Sequence, residues 1–111
     1  MIGGIAAATA TIGTAIEPGV SFSTGNPVSA SRHSDVEFGI VVGQPSRLSF
    51  GIYDVTGRRV AQPFHGEEVS GSIRVRWDRR DETGSRVPNG AYFYRATIGS
   101  ISKTGRFVII P

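Results

Sequence analysis

The stretch DVEFGIVVGQPSRLSFGIYD, residues 35–54, decides the fold class. Apolar side chains alternate with other residues on both sides of a turn at Gln44-Pro45-Ser46. The apolar positions are Val36, Phe38, Ile40 and Val42 before the turn and Leu48, Phe50 and Ile52 after it. A period of two places every second side chain on one face of a strand. The stretch therefore predicts two neighbouring β-strands that each bury one face.

Further segments with strand character lie on both sides of this stretch. They are residues 20–23, 58–61, 72–77, 91–98 and 106–110. In the third of them Ile73, Val75 and Trp77 share one face, and Trp77 is predicted to be the centre of the core. Turn signals recur about every 8–12 residues, which is typical of an antiparallel β-sandwich. The sequence therefore predicts an all-β sandwich of about seven strands.

The turns between these strands have structural explanations. Asp54 and Gly57 bracket a predicted hairpin turn, because glycine tolerates a positive φ. Asp78 is expected to accept backbone N–H groups in the turn that follows Trp77. The Pro88-Asn89-Gly90 turn should direct Tyr92 and Tyr94 to one face and Phe93 to the other.

Three motifs in a fixed order carry a family resemblance. They are IYDVTGR at 52–58, WDRRDETG at 77–84 and VPNGAYFYR at 87–95, with GNP at 25–27 upstream and TGRFVII at 104–110. Together they resemble the immunoglobulin-like (Ig-like) domain of flagellar hook-capping proteins and the C-terminal sorting domains of type IX secretion. The resemblance covers roughly residues 26–111. It implies an Ig-like sandwich that serves as a non-catalytic scaffold, usually behind a larger secreted cargo.

The chain is predicted to divide into an N-terminal extended segment, residues 1–24, and a sandwich domain, residues 25–111. Glu17 is the only charged residue before Arg32, so the basic region of a secretory signal is missing. Residues 1–16 are mostly Ala, Gly and Thr, whereas a membrane-spanning helix needs about 20 strongly apolar residues. No membrane span is predicted. Alternation from Ala8 onward favours a strand, although the alanine-rich part also fits a helix.

The N-terminal segment suggests a route to assembly. An uncharged strand of small residues suits insertion at the open edge of a sandwich in another copy, as in donor-strand complementation. The candidate donor residues are Ile5, Ala8, Ala10, Ile12 and Ile16. Head-to-tail donation need not close and would produce a filament. The alternative is that the segment folds back on its own sandwich as an extra edge strand.

Composition limits the chemistry that this chain can perform. The 111 residues include no Cys, which excludes disulfides and thiolate catalysis. His33 and His65 are the only histidines and no G-x-S-x-G motif is present, so neither a transition-metal site nor an enzyme is predicted. Calcium is the one cofactor considered. Its candidate ligands are Asp78, Asp81 and Glu82, but their spacing fits no EF-hand loop and turn chemistry is preferred.

The net charge of +3 is too small to indicate nucleic-acid binding, and none is predicted. Arg74, Arg76 and Arg95 nevertheless face outward and form a candidate basic stripe for a polyanion. Pairing of these arginines with Glu67, Glu68 or Glu82 on a solvated face is the simpler explanation.

These observations favour a non-catalytic structural protein, extracellular or displayed on the bacterial cell surface. The leading hypothesis is a subunit that assembles with copies of itself by strand exchange into a filament or polymer. The first alternative is a sorting or anchoring domain of a larger secreted protein, whose partner is the secretion or cell-surface machinery. The second alternative is a carbohydrate- or polyanion-binding module.

Overall fold

A computed structural model describes residues 19–22 and 24–111, which form eight β-strands and no helix. The strands are β1 (Gly19–Phe22), β2 (Val28–Ser29), β3 (Val36–Val41), β4 (Ser46–Tyr53), β5 (Arg59–Val69), β6 (Ser72–Trp77), β7 (Gly90–Ile98) and β8 (Ile101–Ile110). The prediction of an all-β, Ig-like sandwich is confirmed. One strand more than the predicted seven is present, and it is the two-residue β2.

The strands form two sheets that pack face to face. The smaller sheet has the order β1-β3-β6 and is antiparallel throughout. The larger sheet has the order β2-β8-β7-β4-β5, in which only the β2–β8 pair is parallel. The chain thus crosses from one sheet to the other between β1 and β2, which joins the two layers along one side of the sandwich.

The N-terminal segment is described only at its end. Residues 19–22 form β1, which pairs with β3 from Gly19↔Val41 to Phe22↔Phe38. This part of the segment is therefore a strand of the smaller sheet. Residues 1–18 lie outside the described residues, so the predicted domain boundary and the donor residues stay predictions.

The core contains the side chains that the period-two pattern predicts to be buried. All seven apolar positions of residues 35–54 are at most 1% exposed. Trp77 is 3% exposed, which confirms its predicted burial. Tyr92 and Tyr94 are buried and Phe93 is 38% exposed, as the turn before them predicts. Phe38 lies at the centre, with its ring edge-on to Phe50 at a centroid distance of 4.6 Å.

Two strands are longer than predicted. β5 extends from Arg59 to Val69 through Pro63, because it is an edge strand and an edge tolerates a residue without a backbone N–H. β8 begins at Ile101 rather than at residue 106 and passes through Gly105. The ring of Tyr94 lies over Gly105 in the neighbouring strand, so aromatic packing covers the glycine backbone there.

Two turns share one hydrogen-bond arrangement. Asp54 Oδ1 accepts from the backbone N–H of Thr56 at 2.9 Å, from its hydroxyl at 2.6 Å and from the backbone N–H of Arg58 at 3.1 Å. Asp81 repeats this arrangement with Thr83 and Ser85, at the same three distances. The glycines that follow the two threonines have φ of 87° and 89°, which only glycine adopts without strain. The sequence D-x-T-G therefore specifies a carboxylate-centred turn twice.

Acid should weaken this protein through these two turns. The hydrogen bond from the Thr56 hydroxyl and then the backbone N–H donors lower the pKa of Asp54 below 3.8, and the Thr83 hydroxyl does the same for the pKa of Asp81. A carboxylate whose pKa is lower in the folded chain than in the unfolded chain stabilises the fold above about pH 4. This contribution is lost as the pH falls through the pKa of the folded state. We expect the urea midpoint to decrease between pH 5 and pH 2, and to decrease less in the Asp54→Asn/Asp81→Asn variant. An equal decrease in both proteins would contradict this explanation.

Candidate functional site

The structure separates the three arginines of the predicted basic stripe. Arg74 and Arg76 lie on the outer face of β6 in the smaller sheet, where each faces Glu37 of β3 at 3.8 and 3.7 Å. Arg76 also lies 3.8 Å from Asp35. Arg95 lies on the outer face of β7 in the larger sheet, on the opposite side of the molecule. The three arginines therefore do not form one surface, because β6 belongs to the smaller sheet and β7 to the larger one.

The partners predicted for these arginines also differ from those observed. Glu82 pairs with Arg59 at 3.0 Å rather than with β6. Among the described residues, Glu67 and Glu68 form no ion pair within 4.0 Å. The carboxylates opposite Arg74 and Arg76 come instead from β3, which the register places directly beside β6.

A row of arginine and aromatic side chains crosses the outer face of the larger sheet. Direct pairing joins Arg59 of β5 to Tyr53 of β4, Tyr53 to Phe93 of β7, and Phe93 to Arg106 of β8. Residues paired in this way project from the same face of a sheet. We call these four residues the Arg–aromatic row. Its two aromatic residues lie at the centre, and its two arginines lie at the ends.

Arg95 adds a third arginine beside this row. Its guanidinium lies over the Tyr53 ring at 5.8 Å from the centroid, a cation–π contact that the absence of a side chain at Gly51 permits. Next to this contact is a groove of about 430 Å³, lined in part by Phe93 and by Val55, which is 69% exposed. Exposed aromatic and arginine side chains are the residue types enriched in protein–protein interfaces. Sequence analysis missed this surface because cross-strand register is needed to assemble it.

Arg79 is a buried charged residue that sequence analysis also missed. It is 7% exposed, has φ of 61°, and donates from Nε to the Ser34 carbonyl at 3.1 Å. Burial, followed by the nearby charge of Arg86, lowers the pKa of this guanidinium. Its backbone carbonyl accepts from Val87 N at 2.9 Å. Arg79 therefore fixes the connection between β6 and β7 against the chain leading into β3, which is a structural role.

The candidate calcium ligands have other partners. Asp81 Oδ1 is occupied by the turn donors, Asp78 accepts from Arg80 N at 3.1 Å, and Glu82 pairs with Arg59. Within residues 19–22 and 24–111, no three His, Cys, Asp or Glu side chains converge on one point. No helix in that same part of the chain is long and apolar enough to cross a membrane.

The other surface relevant to assembly is the outer edge of β8. Of the strands described, β2 alone pairs with this edge, at Ile109 and Ile110. The candidate donor residues at positions 5, 8, 10, 12 and 16 lie outside the described residues, so their contacts stay predictions. The edge that a donor strand would need is nevertheless defined by the structure.

Comparison with solved structures finds a similar fold in two proteins of Porphyromonas gingivalis. The chain aligns over 84% of its length with 12% of PorZ of Porphyromonas gingivalis, described as an essential bacterial surface component of the type-IX secretion system, with 29% identity and a TM-score of 0.60. It aligns over 82% of its length with 9% of dimeric latent PorU from P. gingivalis, with 23% identity and a TM-score of 0.64. The chain thus spans about a tenth of the length of each of these proteins.

No family model and no curated protein matches the chain. The likeness to PorZ supports the predicted connection with type IX secretion, whereas the resemblance to hook-capping proteins stays a prediction. The chain is accordingly an Ig-like sandwich similar to a small part of a much longer type IX surface component.

Proposed function

We propose that this chain is a non-catalytic sorting or anchoring module of a cell-surface or secreted protein that depends on type IX secretion. The observation that carries the proposal is the likeness to one domain-sized part of PorZ, at 29% identity over 84% of this chain. A module that recurs in a longer surface protein acts through contacts with its surroundings, and its partner here is the secretion or cell-surface machinery.

The chemistry of the described surface supports a role without catalysis. Asp54 and Asp81 are occupied by turn donors, and Asp35 and Glu37 face arginines. General acid–base catalysis needs a carboxylate or imidazole that is positioned at a reacting group. These four carboxylates are used instead to hold turns and to neutralise the outer face of the smaller sheet. We therefore propose no cofactor and no catalytic residue.

The Arg–aromatic row is the contact surface that we assign to this function. It combines two aromatic side chains, which supply apolar contact area, with Arg59 and Arg106 at its ends, and Arg95 lies beside it. Among the described residues, Arg95 and Arg106 have no carboxylate within 4.0 Å, so their charge is available to an acidic protein surface. The outer face of the smaller sheet lacks this combination, because carboxylates face its arginines.

Fusion to a passenger protein tests the proposal. A monomeric passenger with a signal peptide is joined to residues 1–111 and expressed in a type IX-competent bacterium and in an isogenic strain with that system inactivated. We expect the fusion to reach the cell surface or medium only in the competent strain, at least tenfold above the unfused passenger. The measurement is the fraction of passenger accessible to external protease.

Two double variants distinguish the faces of the sandwich. Phe93→Ser/Arg106→Ser should reduce surface delivery at least fivefold, because it removes half of the Arg–aromatic row. Arg74→Ser/Arg76→Ser changes the opposite face and should leave delivery unchanged. Equal delivery of the unfused and fused passengers would overturn the sorting function. Equal loss in both double variants would overturn the assignment of the row.

A second candidate function is assembly by strand exchange into a filament or polymer of this chain. The observation that favours it is the edge of β8, which no described strand covers between Ile101 and Gly105. An open edge can bind an extended segment from a neighbouring chain through backbone hydrogen bonds. Localisation outside the cell would be common to both candidates.

The carbohydrate- or polyanion-binding alternative has less support. It depended on Arg74, Arg76 and Arg95 acting as one stripe, and these residues lie on two faces of the sandwich. Glu37 and Asp35 further reduce the positive potential around the first two. Polyanion binding through Arg74, Arg76 and Arg95 stays a prediction.

A further inference from the structure

The first half of β8 is an edge of the larger sheet. β8 pairs with β7 along nearly its whole length, whereas β2 covers only its last two residues on the other side. The side chain of Asn26 occupies the next backbone groups of this edge. Its amide nitrogen donates to the Arg106 carbonyl at 3.2 Å, and its Oδ1 accepts from Val108 N at 3.1 Å. Within residues 19–22 and 24–111, no strand pairs with β8 before Arg106 on that side.

The backbone groups of this edge point outward in a known register. In an antiparallel strand the N–H and C=O of one residue point to the same side, and the side alternates along the chain. Because the Arg106 carbonyl and the Val108 N–H point away from β7, the corresponding groups of Ser102 and Thr104 do so as well. Two donors and two acceptors therefore face the open side in the spacing that an added strand requires.

The core side of the same edge is only partly covered. By alternation, Ile101, Lys103 and Gly105 project toward the same side as the buried Phe107. Ile101 is nevertheless 43% exposed, although β1 contacts β8 from the smaller sheet through Phe22 and Phe107. An added strand with an apolar face would cover Ile101 and the aliphatic stem of Lys103, whose ammonium would stay in water.

We propose that this edge, Ile101 to Gly105, receives the N-terminal segment of a second copy of the chain as an added strand. The inference rests on the strand-exchange candidate above and names its acceptor site. The segment has the required pattern: Ala8, Ala10, Ile12, Thr14 and Ile16 form one face, and its other face is mostly threonine, glycine and alanine. A fully extended 16-residue segment spans about 53 Å, and five residues of edge require only about 17 Å.

The direction in which the chain enters β1 favours addition of the N-terminal segment to a second copy over addition to its own β8. β1 and β8 both begin at the end of the sandwich that holds the loop between β3 and β4, since Gly19 pairs with Val41 and Gly99 N donates to the Arg47 carbonyl. A segment that added to its own β8 would have to reverse direction before β1, whereas one that added to a second copy would not. A tight Pro–Gly reversal needs a positive φ at the glycine. Gly19 follows Pro18 but has no positive φ and lies in β1.

Two full-length variants with matched controls test the proposal. Ile12→Asp places a charge on the apolar face of the donor, and its control Thr11→Asp places the same charge on the other face. Thr104→Pro removes an N–H that points away from β7, and its control Thr104→Val keeps that N–H. We expect the wild type and both controls to assemble well beyond the 11.8 kDa monomer in light scattering, and both test variants to remain monomeric.

Mixing the two test variants provides the decisive comparison. Ile12→Asp retains the acceptor edge and Thr104→Pro retains the donor, so an equimolar mixture should form pairs of twice the monomer mass and nothing larger. Circular dichroism establishes that Thr104→Pro is folded, and Ser102→Pro tests the same edge independently. A monomeric wild type would overturn both strand exchange and its site. Assemblies that persist in Ile12→Asp, Thr104→Pro and Ser102→Pro would overturn the β8 site alone.

Discussion

Replacing Trp77 by alanine is expected to lower the free energy of unfolding by about 3–5 kcal/mol. Trp77 is 3% exposed, and its ring lies edge-on to Tyr92 and Phe107 at centroid distances of 5.7 and 6.1 Å. Its Nε1–H donates to the Arg80 carbonyl at 2.9 Å. Truncation would therefore leave a cavity between the sheets and remove a partly buried hydrogen bond. Trp77 is the only tryptophan, so the variant has no tryptophan fluorescence with which to follow unfolding. Unfolding in urea is therefore measured by far-ultraviolet circular dichroism.

Two control variants separate the contributions of Trp77. Trp77→Phe retains an aromatic ring but loses the hydrogen bond to Arg80, so its cost should be clearly smaller than that of alanine. Val55→Ala changes an apolar side chain that is 69% exposed and should change stability by less than about 0.5 kcal/mol. A loss below about 1 kcal/mol for Trp77→Ala would contradict its place in the core.

The second large effect is expected at Gly105, a position on β8 without a side chain. A Cβ atom there would lie 2.5 Å from Tyr94 Oη and 2.6 Å from two ring carbons. Tyr94 is 9% exposed and its ring contacts Phe22, Phe38 and Phe50, so it has little space to move. Gly105→Ala should therefore cost about 1–3 kcal/mol through overpacking, measured by urea unfolding.

Gly51 provides a matched control on the other side of the same sheet. A Cβ atom at Gly51 would lie 3.0 Å from the ring of Tyr53, which is only half-buried and faces outward. Because this ring can move toward solvent, Gly51→Ala should cost less than Gly105→Ala. In a Tyr94→Ala background the cost of Gly105→Ala should largely disappear. An equal cost in both backgrounds would show that Tyr94 is not the cause.

The strands around residues 35–54 could be predicted because local alternation and burial agree there. Each apolar position of this stretch enters the core, and the same rule places Trp77 correctly. Strand ends were harder to predict, since Pro63 and Gly105 suggest interruption in isolation. The structure tolerates them for reasons of context: Pro63 lies in an edge strand, and the Tyr94 ring covers Gly105.

The candidate surfaces depended on information that the sequence pattern does not contain. Arg74 and Arg95 both alternate outward, but only sheet topology shows that they lie on opposite faces. The Arg–aromatic row likewise requires the register of four strands. The second carboxylate turn, in contrast, was accessible from the sequence, because Asp81-Glu82-Thr83-Gly84 repeats the pattern of Asp54-Val55-Thr56-Gly57.

Delivery of a passenger protein is the most direct test of the central claim, that this sandwich is a sorting or anchoring module connected with type IX secretion. The quantity to measure is the protease-accessible fraction of the passenger fused to residues 1–111, in competent and secretion-deficient strains. We predict surface exposure that requires both the module and the active secretion system. A fused passenger that stays inside the competent cells, or one that is exposed equally in both strains, would contradict the claim.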